Sequence, residues 1–158
     1  MADTYTVERR RTIAAPADRV YLLLVDFQQW LRWSPWEGID PDLKRAYGGA
    51  ESGVGATYAW SGNRKAGAGR MEVTDVEENR RVNIDLVFEK PFKSHTKQTF
   101  LVNPVGDDQT EVVWTMVGPR PWFMKVFGFM FNMDKMVGGD FEKGLAQLGE
   151  AAHPTPAG

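Results

Sequence analysis

Side chains able to do chemistry are few in this chain and widely scattered. It has two histidines, His95 and His153, and no cysteine, which removes disulfides, thiolate metal sites and cysteine nucleophiles together. A metal site would have to take almost all of its ligands from carboxylates, and no spacing of Asp and Glu suggests one. No Gly-x-Ser-x-Gly elbow occurs, and residues 48 to 55, Gly-Gly-Ala-Glu-Ser-Gly-Val-Gly, lack the Gly-Lys-Ser/Thr ending of a phosphate loop. Those glycines read instead as hairpin geometry. Arg9 and Arg11, two residues apart in a strand-like stretch, would both face inward from a regular strand. A buried guanidinium must be paired or hydrated, so one of them could anchor a carboxylate, phosphate or enolate. The competing reading is a bulge or sheet edge that turns both to solvent. Thr96 and Gln98 share an inner parity and could hold a ligand carbonyl or a water, or could simply be satisfied by buried hydrogen bonds. A dehydratase or aldol cyclase needs little beyond one placed base and one hydrogen-bond donor. The catalytic residues therefore stay unassigned, and neither a metal nor a cofactor is expected.

The elements that would position these groups follow from periodicity. Tyr5, Val7 and Ile13 share one parity over residues 4 to 13, as a strand with one buried face requires. Pro16 suits a first helical position and Asp18 the first turn, where a carboxylate meets the positive end of the helix dipole. Val20, Leu23, Leu24 and Phe27 then mark one apolar helix face. A second short helix is expected over Gln28 to Trp33, stopped by Pro35. Strands are predicted near 43–47, 54–61, 67–76, 80–89, 94–103 and 109–118, with turns at Gly48-Gly49, Ser61-Gly62-Asn63, Glu77-Glu78-Asn79 and Gly106-Asp107-Asp108. Val82, Ile84, Leu86 and Phe88 alternate with Asn83, Asp85 and Glu89, the clearest single strand pattern. Pro121 can open a helical segment with Phe123, Val126, Phe127 and Met130 on one side. A last helix over 134–151 carries the stripe Val137, Phe141, Leu145 and Leu148, with Gly138-Gly139 as a close-packing point or kink.

Composition narrows the function classes. With 158 residues, 42% hydrophobic and 25% charged, the chain fits one domain with a sizeable core, here 1–152, followed by a disordered tail at 153–158. A net charge of −2 with both signs interspersed argues against a nucleic-acid surface. The N-terminal residues lack a signal-peptide pattern, and residues 121–133, the most apolar run, fall short of the roughly 20 needed to cross a bilayer. A cytoplasmic protein without an integral membrane segment, monomer or homodimer, is expected.

The order is thus one strand, two short helices, six strands and one long helix: an α+β domain with a curved antiparallel seven-stranded sheet around the C-terminal helix. The carriers of a family resemblance are Ile13-Ala14-Ala15-Pro16, Val20-Tyr21, Asp26-Phe27 and Trp30 to Trp36 with Trp33-Ser34-Pro35. To these are added Thr110 to Trp114 and Asp140 to Leu145. On these residues the chain resembles the START-like, birch-pollen-allergen-like helix-grip superfamily (SRPBCC), and most of all its bacterial polyketide cyclase/dehydrase-like branch. The resemblance covers residues 4 to 151 and rests on packing motifs without a catalytic signature. It implies an apolar cavity between sheet and helix that holds a lipid, steroid, polyketide or similar small molecule.

The inner parity of the strands nominates Tyr58, Trp60, Met71, Val73, Ile84, Leu86, Phe88, Gln98, Phe100, Trp114 and Met116 as ligand-binding residues, together with Arg9 and Arg11. Core filling is the competing reading for each of them, since interiors pack densely; Met in excess suits an irregular ligand surface. Phe123, Phe127 and Met130 join them if the apolar segment 122–133 is a lid; that segment could equally be core, or a dimer or membrane-surface contact. The leading expectation is binding of a small hydrophobic or amphipathic ligand. The alternatives are a cyclase or dehydratase acting on a polyketide-like substrate, and a protein-interaction module using residues 122–133.

Overall fold

The computed structural model describes residues 4–35, 40–63, 67–90, 93–119 and 133–152. Strand β1 (Thr4–Ile13) leads into helix α1 (Ala17–Val25) and a 3-10 helix (Phe27–Arg32). Six strands follow: β2 (Lys44–Gly49), β3 (Ala56–Ser61), β4 (Ala68–Glu77), β5 (Arg81–Lys90), β6 (Ser94–Gly106) and β7 (Gln109–Pro119). Helix α2 (Met133–Ala152) ends the described chain. All seven strands join one sheet in the order β1-β7-β6-β5-β4-β3-β2, and every pairing is antiparallel. The meander β2 to β7 thus folds hairpin by hairpin, and β1 closes it by adding to the far edge along β7.

The predicted strands all form, within a few residues of their expected ends. Pro16 differs by one position. Its extended backbone (φ −69°, ψ 155°) makes it the residue before the helix, with its carbonyl accepting from the Val20 amide at 3.2 Å. The second short helix is 3-10 in form, and its first turn is capped by Asp26, whose Oδ1 accepts from the Gln28 amide at 3.0 Å. Segment 121–132 and the tail 153–158 lie outside the described residues.

Trp30 and Trp33, carriers of the family resemblance, also have a structural job. The last carbonyls of a helix lack partners within it. At the end of α1 two of them are met by indoles from the next element. Trp33 Nε1 donates to Leu23 O at 2.8 Å and Trp30 Nε1 to Leu24 O at 2.9 Å. Both indoles are buried, so each carbonyl is satisfied without water. Trp36 lies outside the described residues.

Helix α2 crosses the β1 edge of the sheet with its stripe facing in: Phe141, Leu145 and Leu148 are fully buried and Val137 partly so. Phe141 stacks on Trp114 with ring centroids 3.9 Å apart and planes 6° from parallel. Gly144 lets the helix approach closely, for a side chain there would meet Pro35 and Trp114 ring carbons at 2.9 Å. Gly138 makes similar room for the Arg9 guanidinium. Of the predicted Gly-Gly close-packing point, then, Gly138 supplies the contact, while at Gly139 an added side chain would meet no described atom within 4 Å.

Candidate functional site

Inner-facing residues form rows across the strands, and the rows change character along the sheet. The row through Arg9, Trp114, Phe100 and Val82 lies over the 3-10 helix and α2. There Trp30, Trp33, Phe100 and Trp114 form one aromatic block, with centroids 4.5 to 5.9 Å apart. The next row, Val7, Met116, Gln98, Ile84 and Val73, is also buried throughout. Beyond it come Tyr5 and Gly118, then Thr96, Leu86, Met71 and Tyr58, where Tyr5 is only half-buried. In the outermost row, Ser94, Phe88, Gly69 and Trp60, both large rings are half-buried.

The sequence-nominated residues therefore separate into two sets. Val73, Ile84, Phe100 and Trp114 are at most 1% exposed and pack against core side chains. Tyr58, Trp60, Met71, Leu86 and Phe88 gather in the two rows toward the rim, and Met116 lies in the buried row next to them. Gly69 shapes the rim: Trp60 lies so close that a side chain at 69 would meet its ring carbons at 2.7 and 2.9 Å and the Val87 carbonyl at 2.5 Å. Trp60 meets Phe88 edge-on at 5.5 Å and stacks with Tyr58 at 6.0 Å. Through Phe27, which touches both Tyr58 and Trp30, the rim aromatics run on into the packed block. Phe123, Phe127 and Met130 fall outside the described residues.

The two arginines part company. The β1–β7 register has no bulge, so Arg9 does face the helix, and it spans to Glu142 with Nε–Oε2 at 3.1 Å while donating to the Glu8 carbonyl at 2.8 Å. Arg11 shares that parity but is exposed, because β1 is the sheet edge and the described chain does not cover it there. Arg9 thus fastens α2, and Arg11 is not brought to the other nominated residues. His95 faces outward and pairs with Asp85 at 3.2 Å.

Polar groups on the inner face are few. Gln98 Oε1 accepts from Trp114 Nε1 at 2.9 Å, which fixes the amide so that Nε2 points toward Met116 Sδ at 3.9 Å. Thr96 is 2% exposed, and among the described residues its hydroxyl has no hydrogen-bond partner. Tyr5 comes near it across Gly118: a side chain at 118 would meet Thr96 Cγ2 at 2.6 Å and the Tyr5 hydroxyl at 3.3 Å. Burial raises the Tyr5 phenol above its ordinary value of 10.0, so it stays protonated and able to donate. Sequence reasoning placed Tyr5 on the buried parity without connecting it to Thr96; the link passes through β7, at a glycine that carries no signal of its own. Among the described residues no three His, Asp or Glu side chains gather as metal ligands would, and no helix is long and apolar enough to cross a membrane.

A seven-stranded antiparallel sheet gripping a C-terminal helix, with two short helices after the first strand, defines the helix-grip class. The chain belongs to the family described as polyketide cyclase / dehydrase and lipid transport, whose model matches residues 4–153. No curated protein matches the sequence. Solved structures share the fold at low identity. Norcoclaurine synthase from Thalictrum flavum, in complex with dopamine and hydroxybenzaldehyde, matches with a TM-score of 0.70 at 13% identity, covering 98% of this chain and 90% of that one. A Chromobacterium violaceum protein gives 0.68 at 14%, covering 95% and 98%. The Aha1 dimer of Colwellia psychrerythraea gives 0.66 at 17%, covering 97% and 99%.

Proposed function

We propose that this protein binds a small hydrophobic or amphipathic molecule, of lipid, polyketide or aromatic type, between the inner face of the sheet and α2. The observation that carries the reading is the gradient along that face. It is packed solid at the Trp33–Trp114 end, yet it keeps Trp60, Phe88 and Tyr5 half-exposed at the other. Large apolar rings left part-exposed on an inner face are surface that a ligand can cover, at about 25 cal/mol per Å² of apolar area removed from water. Met71 and Met116 beside them adapt to irregular shapes. Family membership supports the reading, and so does the fold relative solved with dopamine and hydroxybenzaldehyde, two small aromatic molecules.

Native mass spectrometry of freshly purified protein tests it directly, with the expectation of a co-purifying small molecule. A thermal-shift screen over fatty acids, sterols and aromatic polyketides follows, since a ligand at 100 times its Kd adds about 2.7 kcal/mol. An apo mass together with no shift from any class would refute the proposal.

A further inference from the structure

Taking that binding reading as its basis, we propose that the ligand presents a neutral oxygen, a carbonyl or hydroxyl, to Thr96, with the Gln98 amide and the Tyr5 phenol beside it. A hydroxyl that is buried and unpaired is costly, native structures keep few of them, and each calls for an explanation, a bound partner among them. Thr96 is such a group: its Oγ1 has no partner among the described residues, and the residue is 2% exposed in the row that leads from the packed rows to the rim. A threonine hydroxyl both donates and accepts, so it suits a ketone, a phenol or an alcohol equally.

The neighbours favour an uncharged oxygen. Gln98 Oε1 is taken by Trp114, which leaves its N–H₂ facing the thioether of Met116 at 3.9 Å, a weak acceptor that a ligand oxygen would improve on. Tyr5 approaches Thr96 across Gly118, where a side chain would collide with Thr96 Cγ2 at 2.6 Å, so β7 leaves the space that lets these two groups meet. Among the described residues the inner-face cation is Arg9, committed to Glu142 and the Glu8 carbonyl, and Lys97, next to Thr96 in sequence, is exposed. A carboxylate or phosphate at Thr96 would enter this buried row with donors but no matched charge among the described residues, which is strongly disfavoured. The residues thus select an amphipathic molecule by its neutral polar end, while the aromatic rim accepts the apolar remainder.

Calorimetric titration of the full chain with two matched probe series tests this: naphthalene, 2-naphthol, 2-acetonaphthone and 2-naphthoate, and dodecane, dodecanol, 2-dodecanone and dodecanoate. The neutral oxygenated probes should bind about tenfold or more tighter than either the hydrocarbon or the carboxylate of the same series, roughly one well-made buried hydrogen bond. Thr96→Val, which keeps the shape, should erase most of that preference and leave hydrocarbon binding unchanged. Its ligand-free Tm should equal or exceed that of the parent, because a methyl replaces an unpaired hydroxyl; a lower Tm would mean that the hydroxyl serves the fold and would overturn the assignment. Equal binding of all apolar probes, tighter binding of the carboxylates, or a preference that survives Thr96→Val would overturn it while leaving the cavity reading intact. Binding of no probe from either series would instead refute the cavity itself.

Discussion

Replacing Gly144 and Gly139 by alanine, one at a time, isolates the cost of seating α2 on the sheet. Both glycines lie inside the same helix, and each substitution gains about 1 kcal/mol of helix propensity. They differ in surroundings. At 139 no described atom lies within 4 Å of the new carbon, whereas at 144 it would stand 2.9 Å from Pro35 Cδ, 2.9 Å from Trp114 Cζ3 and 3.1 Å from Pro35 Cγ. Ordinary contact begins near 3.4 Å, so relief requires several tenths of an ångström from two rings. Neither ring yields easily: Trp114 is stacked on Phe141 and bonded to Gln98, and Pro35 is a rigid pyrrolidine. Overpacking of this kind costs about 1–3 kcal/mol. Gly139→Ala should therefore stabilise by about 1 kcal/mol, and Gly144→Ala should destabilise by up to about 2 kcal/mol, leaving the pair about 1–3 kcal/mol apart. Chemical denaturation reads this as a shift in midpoint at constant slope, and each kcal/mol moves Tm by roughly 2–4 °C at this chain length. If Gly144→Ala were as stabilising as Gly139→Ala, the helix would not be seated against Trp114 as described.

Three other outcomes follow from the same packing. Trp33→Phe should cost about 2–3 kcal/mol by orphaning the Leu23 carbonyl and leaving a void; a loss below about 1 kcal/mol in urea titration would show that the indole N–H is not needed as a cap. Thr110→Val should cost about 1–2 kcal/mol, because its buried hydroxyl donates to the Ala15 carbonyl at 2.8 Å and ties β7 to the turn before α1; an unchanged denaturation midpoint would contradict that tie. The raised Tyr5 phenol means that the folded state favours the protonated form. That contribution is whole below the unfolded value near 10.0 and is lost as pH climbs toward the folded one. Relative to the parent, Tyr5→Phe should gain stability as pH rises past the phenol's ordinary value of 10.0; a gap that stays constant with pH would contradict a desolvated phenol.

The sheet was legible in the sequence because alternation such as Val82-Ile84-Leu86-Phe88 reports a half-buried strand directly. The stripe 141, 145, 148 reported the helix face for the same reason. What periodicity does not carry is a partner distant in sequence. Arg9 and Gly138 each invited comment, but only the fold shows one accommodating the other. The indoles of Trp30 and Trp33 read as apolar bulk, while the atoms that fix them are polar N–H groups bonded to carbonyls six and ten residues back. Strand β2 was expected to stop at a Gly48-Gly49 turn, but both glycines lie within it, paired with Thr57 and Ala56; all of its residues are exposed, so no parity could mark a face. In the candidate site, inner parity selected Trp60 and Trp114 alike. Separating the half-buried ring from the buried one requires knowing where the 3-10 helix and α2 rest.

Closing the sheet at β1 has a consequence for the time course of folding. The outermost strand pairs only with β7, more than ninety positions later, and the helix is fastened to it by an Arg9–Glu142 bridge 133 positions apart. Hairpins β2 through β7 can form locally, but β1 and α1 have no lasting place until β7 exists, and the Trp114–Phe141 stack needs the last helix as well. Loops of that length are slow to close, and chains dominated by such contacts reach the native state on the scale of milliseconds to seconds. On the ribosome the chain would wait, with β1 unpaired and its aromatics uncovered, until nearly its whole length had emerged.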